Sequence, residues 1–491
     1  MSKQLKIDKL KDLRKLYPKK KIGLCHGAFD VLHYGHLEHL REAKNKVDIL
    51  IVSVTADKFI KKGPLQPYNN EIKRLELIEH IDLVNFVYLD RNECADKVIG
   101  NLKPHFYFKG KDYLDKDITN NLSKEIKILK KNRGKFVITK TELMSSTKII
   151  NNKLSFFSKK QKKVIKKLQR LNAFDNILNS FELCKNLEID IIGDPIIDSY
   201  VNCRLVGLTT KDPTISTISE KKFNFAGGVL AVAMMMSKFI KKVNLITYGN
   251  KAKLKSFFKN YKNIKVNSFD EKLNIQNKKK FINNNRYEKL LQVSDFQSHN
   301  LNNKHSNFIK KFLRNKNLII CDYGIGIFSG ETLKFLNNLK VKKFINVQSN
   351  SLNYGSNLFT KYNNCKYISL DKREWELGLQ KKIEQIKKKD IKKNLSGSPV
   401  FAITEGKKGS SLIFENNKVN CPTFINKTID TVGCGDAFFA ITSLLLISKL
   451  QKHIIPFAGN AYAGMHGQYL GNSEITNKNE LLKYLKSLLN F

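Results

Sequence analysis

Twice along this chain a short, largely apolar run stops at a glycine with an aspartate soon after it, and this repeated arrangement constrains the fold most. The first run, 21–25, leads to Gly27 and Asp30, an aspartate placed to start a helix; the second, 187–192, ends at Gly193 and Asp194. Short strands that are apolar throughout, without alternation, are buried on both faces, as in parallel sheets covered by helices. Apolar runs at 49–54, 83–89 and 105–108, interleaved with helical patterns such as 71–79, extend the first sheet. Runs at 243–247, 318–321, 343–347, 367–370 and 400–404 extend the second, and the C-terminal third reads as helical. At 491 residues the chain exceeds one ordinary domain. Two α/β domains are expected, over 1–152 and 187–491.

The segment between them, 153–186, reads as helical, because Val164, Ile165, Leu168, Leu171, Phe174, Ile177, Leu178 and Phe181 recur at intervals of three and four. It is either a connector docked on one domain or a dimerisation helix. Within the second block, Thr214 to Ile218 alternates and reads as exposed β structure, suited to a lid.

Charge narrows the partners. The net charge is +44, but the excess is lysine spread along the whole length, without a basic arm or aromatic-interleaved basic motif. Nucleic acid is therefore not the expected partner, and anionic, phosphorylated small molecules suit the charge equally well. The eight cysteines form no Cys-x-x-Cys pair, so neither a zinc site nor a disulfide framework is expected. The lysine-dense N-terminus lacks the apolar core of a signal peptide, and no stretch approaches a membrane span. A cytoplasmic enzyme without a membrane partner is the expectation.

The run Gly27-Ala28-Phe29-Asp30-Val31-Leu32-His33-Tyr34-Gly35-His36 sets two imidazoles three residues apart at a strand-to-helix turn. Imidazoles there donate to phosphate oxygens, and the following helix N-terminus favours anions. The run resembles the His-x-Gly-His signature of the nucleotidyltransferases that include glycerol-3-phosphate cytidylyltransferase and the ADP-heptose synthases. Lys61-Lys62-Gly63 resembles that family's lysine loop, Arg74 its arginine-led helix, Phe108 to Tyr113 its substrate segment, and Leu143 to Ile150 its closing Ser/Thr-Thr motif. The resemblance implies that His33, His36 and Lys62 are catalytic, stabilising the charge that gathers on the α-phosphate. It places Gly27, Phe29, Arg74, Ser146 and Thr147 at the nucleotide, and Lys109 and Asp112 at the acceptor.

The string Thr428-Ile429-Asp430-Thr431-Val432-Gly433-Cys434-Gly435-Asp436-Ala437-Phe438 puts two glycines and a carboxylate where a loop opens a helix. Backbone N–H groups of such a turn form an anion hole, and the carboxylate beside it can take a proton from an attacking hydroxyl. It resembles the signature of the ribokinase family of carbohydrate kinases, from about 190 to the C-terminus. The resemblance implies that Asp436 is the base; that Thr404, Gly406, Gly433, Gly435 and Asn460 bind nucleotide; and that Asp194, Asp198, Gly227 and Gly228 bind sugar. Asp371 and Glu374 stand where that family has an Asn-x-x-Glu element linked to Mg2+. Ile325 replaces a usual lysine, and Gln348-Ser349-Asn350 replaces an Asp-Pro-Lys type of loop.

The pair of domains resembles, in reversed order, the bifunctional heptose enzymes that phosphorylate heptose 7-phosphate and later adenylate heptose 1-phosphate. That implies a bifunctional enzyme of nucleotide-sugar synthesis using ATP or CTP, Mg2+ and a sugar phosphate, with lid strands pairing in a homodimer. The alternative is a glycerol- or polyol-phosphate cytidylyltransferase whose kinase-like half has another or a regulatory role.

Overall fold

A computed structural model describes residues 3–60, 63, 66–111, 121–140, 157–283, 288–295, 303–350, 353–385, 399–415, 417–425 and 428–490. The chain divides into two compact units, Met1–Ile165 with Leu482–Phe491, and Lys166–Leu481. Lys62, Asp112, Ser146 and Thr147 lie outside the described residues.

The first unit is built on β1 (Ile22–Gly27), β2 (Ile49–Thr55), β3 (Phe86–Asp90), β4 (Phe106–Lys109) and β5 (Lys135–Ile138), all parallel in the order β3-β2-β1-β4-β5. β2, Ile-Leu-Ile-Val-Ser-Val-Thr, is buried at every position, which is why its sequence does not alternate. One face of the sheet packs Leu10, Leu13, Ile99 and Leu102, and the other packs Leu40, Leu75 and Ile78. Asn70 caps the helix Glu71–Glu79 by accepting the Lys73 N–H at 2.9 Å. Asp30 does not start a helix as its position suggested. Its carboxylate accepts the N–H groups of Tyr68 and Asn69 at 2.8 and 2.9 Å, and His33 is the cap of the helix Tyr34–Lys44.

The second unit centres on a nine-stranded sheet. Its strands are β6 (Glu188–Gly193), β9 (Lys242–Thr247), β10 (Ile264–Ser268), β13 (Asn317–Asp322), β14 (Lys342–Val347), β15 (Cys365–Asp371), β16 (Val400–Thr404), β17 (Ser410–Phe414) and β18 (Asn417–Cys421), in the order β10-β9-β6-β13-β14-β15-β16-β17-β18. The sheet is parallel up to β16 and closes with an antiparallel meander. The helix Cys434–Ile447 carries apolar side chains all round and is buried from Asp436 to Leu445. Such a helix has no solvated face and runs through the interior.

A second sheet of four strands, β7 (Pro195–Leu208), β8 (Ile215–Gly228), β11 (Gln276–Asn283) and β12 (Lys289–Asp295), in the order β12-β11-β7-β8, is the lid. It is larger than the alternating segment at 214–218 suggested. β7 and β8 are each 14 residues long, and their outer halves leave Leu205, Val206, Leu208, Ile215 and Ile218 exposed. The helical segment at 158–183 is two helices, Lys159–Arg170 and Ala173–Cys184, broken where Asn172 adopts φ 47°. Among the described residues no helix is long and apolar enough to cross a membrane, and no disulfide joins the eight cysteines.

Candidate active sites

In the first unit the strand order reverses between β1 and β4, and an open parallel sheet forms its ligand crevice at the carboxyl ends of such strands. β1 ends there in Gly27, and β4 ends in Lys109. A Cβ on Gly27 would come within 3.3 Å of the Phe29 ring, and Phe29 itself takes φ 49°. A bulky residue is strained in that conformation, so the turn is held by its surroundings. The Phe29 ring lies 5.4 Å from His36, and His36 stacks on His33 at 3.9 Å with 26° between the rings. The imidazoles of the cap His33 and of His36 in the first turn therefore sit together at the N-terminus of the helix Tyr34–Lys44, where backbone N–H groups suit an anion.

Lys109 is placed beneath this turn. It is 4% exposed, and its Nζ donates to the His26 carbonyl at 3.0 Å. Burial, helped by that ammonium, pushes His39 down to about 4. Arg74 is wholly buried and donates to Asn69 O, Ala28 O, Thr55 O and Asp57 Oδ1 at 3.0, 2.5, 2.7 and 2.6 Å. The guanidinium was expected at the nucleotide; four of its five N–H bonds instead tie the loops after β1 and β2 together. Asp90, at the end of β3, is raised to about 6, chiefly by burial, and its Oδ2 lies 3.9 Å from His26 Nδ1.

The second unit opens a cavity of about 560 Å³ at the carboxyl ends of its parallel strands. Asp198, Gly228, Asp371, Glu374, Thr404, Gly406, Gly433, Gly435, Asp436 and Asn460 all line it, so most of the residues expected there converge. Gly433 takes φ 80°, and a Cβ on it would meet His466 Nε2 and Asn472 Oδ1, each at 2.8 Å. The His466 ring, lowered to about 4 by burial, is neutral, and its Nε2 lies 3.2 Å from the Val432 carbonyl. Asp436 stands in the first turn of the helix beyond, where Oδ1 accepts from the Tyr323 hydroxyl at 2.9 Å and the Gln348 amide at 2.8 Å. Burial raises its carboxyl to about 7. That suits a group that must hold a proton in one step and release it in the next.

Asp198 is 5% exposed and forms an ion pair with Lys280, a buried lysine of β11. Gly227 makes room for it, since a Cβ there would fall 2.2 Å from Asp198 Oδ2. Gly228 turns the chain from the lid into the helix Val229–Ser237 with φ 58°. Asp194 does not reach the cavity lining. It is wholly buried, its Oδ2 accepts the Tyr323 N–H at 2.9 Å, and burial with the nearby Asp322 charge raises it to about 8. The structure thus gives Asp194 the loop that carries Tyr323 rather than a sugar. Asn460 lines the cavity while its amide donates to Cys421 O and Pro422 O at 2.9 and 3.2 Å.

Asp371 and Glu374 form a capping box on the helix Lys372–Leu379. Glu374 also accepts the Ser349 N–H at 3.0 Å, and burial, with the Asp371 charge, raises it to about 8. Among the described residues no group of three acidic, histidine or cysteine side chains could cage a metal. Mg2+ needs no such cage, since it keeps several waters and binds through one or two carboxylates and substrate phosphates. The Asp371–Glu374 pair at the cavity wall fits that outer role.

Sequence reasoning passed over Lys278 and Lys280, which line the cavity from β11, because Gln276–Asn283 has no apolar alternation to mark it as a strand. Gln348 registered only as a departure from a family pattern, and Tyr323 was not singled out.

Residues 24–152 match the family model described as cytidylyltransferase-like, and residues 188–476 match the pfkB family carbohydrate kinase model. In the N-terminal region, the bifunctional protein HldE of Aliarcobacter butzleri is 33% identical over 136 residues, which is 27% of this chain and 29% of that protein. The protein of the same name from Helicobacter pylori is 36% identical over 117 residues, covering 23% of this chain and 25% of its own length. The chain thus spans less than a third of the length of these curated relatives. Among solved structures, ribokinase from Thermotoga maritima is 17% identical, covering 61% of this chain and 99% of its own, with TM-score 0.46. Phosphofructokinase-2 from Escherichia coli is 13% identical, covering 62% and 99%, with TM-score 0.49.

Proposed function

Given that the chain belongs to the pfkB family of carbohydrate kinases, through a match covering more than half its length, and carries a cytidylyltransferase-like domain before it, we propose a bifunctional cytoplasmic enzyme of nucleotide-sugar synthesis. Residues 187–491 phosphorylate a sugar or sugar phosphate with ATP. Residues 1–152 transfer a nucleotidyl group from ATP or CTP to a sugar phosphate, and 153–186 connect the two.

The observation that carries the kinase half is Asp436, set beside the Gly433–Gly435 turn with its carboxyl raised to about 7. In this reading Asp436 takes the proton of the sugar hydroxyl as that oxygen attacks the γ-phosphorus and the bond to ADP breaks. The N–H groups of the turn meet the charge of the migrating phosphoryl group. Asp198, with Gly227 and Gly228 beside it, holds sugar hydroxyls; Thr404, Gly406 and Asn460 flank the nucleotide. Bound Mg2+ would neutralise the phosphates, held through water by Glu374 and Asp371. Lys278 reaches the same cavity, where burial lowers its pKa and the charges of Asp198, Asp436 and Asp194 oppose that shift. A cation so placed suits a sugar that already bears an anionic group.

In the transferase half, the His33–His36 stack at the helix N-terminus supports α-phosphate stabilisation, with Lys62, Ser146 and Thr147 completing the nucleotide site and Lys109 and Asp112 the acceptor site. Arg74 fixes the β1 turn, and the bond from Lys109 to the His26 carbonyl holds that lysine at the end of β4 beside the acceptor. A heptose destined for surface polysaccharide is the sugar to which the likeness points, and the exposed outer lid strands suit a homodimer. Purified protein supplied with ATP or CTP and a panel of sugars and sugar phosphates tests the reading. ADP and pyrophosphate release, each dependent on a sugar, are expected; release of neither from any combination would defeat it.

A further inference from the structure

Asp430 lies on the loop that leads into the Gly433–Gly435 turn, and its buried carboxylate has every acceptor position taken. Oδ1 accepts the Lys289 ammonium at 2.7 Å and the Val432 N–H at 3.1 Å; Oδ2 accepts the Tyr200 hydroxyl at 2.6 Å and the Gly471 N–H at 3.0 Å. A carboxylate offers about four lone-pair sites, so none remains for a ligand or metal. The role of this side chain is to join its donors.

Those donors come from two places. Tyr200 and Lys289 sit on β7 and β12 of the lid sheet, whereas Val432 and Gly471 belong to the loops that frame the anion turn. Burial alone would raise the Asp430 carboxyl, but the Lys289 ammonium and the Tyr200 hydroxyl hold it below the usual carboxylate range, so it stays ionised. The two ends of the ion pair differ in exposure. The Asp430 side chain is 2% exposed and that of Lys289 42%, so Lys289 can leave into water when its strand moves without stranding a cation in the interior.

The lid side also connects to the sugar residues. The Lys280 ammonium lies 5.0 Å from the centre of the Tyr200 ring and is paired with Asp198. A lid seated on sugar therefore brings Tyr200 and Lys289 onto Asp430 together.

We propose that Lys289 is a positioning residue for phosphoryl transfer: its ion pair with Asp430 couples the seated lid to the shape of the Val432–Gly435 backbone that receives the phosphoryl group. The assignment rests on the kinase reading above. A lid that completes the reacting site only when substrate is bound is a common way to gate transfer.

The test uses the full chain with Lys289→Met and Lys289→Arg. Hydrogen exchange of the peptide covering 428–440 reports the turn directly and needs no turnover. Exchange at 431–435 about tenfold faster in Lys289→Met is expected, with exchange in β13 and β14 unchanged and near-wild-type rates restored by Lys289→Arg. With a sugar the enzyme accepts, kcat should fall about tenfold while KM for ATP moves less than about twofold. Unchanged exchange at the turn in Lys289→Met, or a loss confined to KM, overturns the proposal. Should the wild type phosphorylate no sugar, the kinase reading fails, and the exchange result still decides whether the tie exists.

Discussion

The side-chain amide of Gln348 donates to Oδ1 of Asp436 at 2.8 Å, across the carboxyl end of the sheet from β14 to the helix Cys434–Ile447. The Tyr323 hydroxyl, from the end of β13, shares the same oxygen at 2.9 Å. Both donors favour the ionised carboxyl, and burial opposes them and wins, leaving the group near 7.

On the proposed kinase reading, in which Asp436 is the base, that balance sets the pH dependence of sugar phosphorylation. The base acts when deprotonated, and its pKa is raised, so kcat/KM should rise with pH through about 7 and level off above it. Below that point the loss should approach about tenfold per pH unit. A profile already flat at pH 5 would show that another group takes the proton.

Gln348→Leu removes one donor from the charged form and should move that acid limb upward, by about one pH unit. Protein stability should change little, because the Tyr323 bond remains. An acid limb that stays in place would mean that Gln348 does not act on Asp436.

The elements legible in the sequence were those whose physics is local. β2, β6, β13, β14 and β16 are buried along almost their whole length, and their apolar-rich sequences mark them even where Ser53, Asp190 or Asn346 interrupts. β11 escaped because its inward-facing Lys280 is buried by an ion pair made with Asp198, 82 residues away. Lys278, Tyr323 and Gln348 entered the site the same way, through strand order rather than sequence spacing. The roles expected of Arg74 and Asp194 depended on which way a buried charge turns; both turn toward backbone that must be held.

Arg74→Met should destabilise the first unit by about 3 kcal/mol or more, because the carbonyls of Ala28, Thr55 and Asn69 all lose a charged donor. Hydrogen exchange in β1 and β2 under increasing urea measures this. Arg74→Lys should recover only part, since one ammonium cannot reach three carbonyls spread over two loops. Wild-type protection in Arg74→Met would contradict the positioning role.

Gly227→Ala would set a methyl 2.2 Å from Asp198 Oδ2 and displace that carboxylate. KM for the sugar should rise about tenfold or more while KM for ATP holds, as steady-state kinetics with each substrate varied would show. Equal effects on both substrates would remove Asp198 from the sugar site.

The claim that one chain houses two separate transfer sites is tested most directly by assaying ADP and pyrophosphate release side by side in the wild type, His36→Ala and Asp436→Asn, with ATP or CTP and sugar phosphates. The account predicts that His36→Ala loses pyrophosphate release by at least about a hundredfold and keeps ADP formation, while Asp436→Asn does the reverse. Either variant abolishing both activities, or neither altering its own, would contradict it.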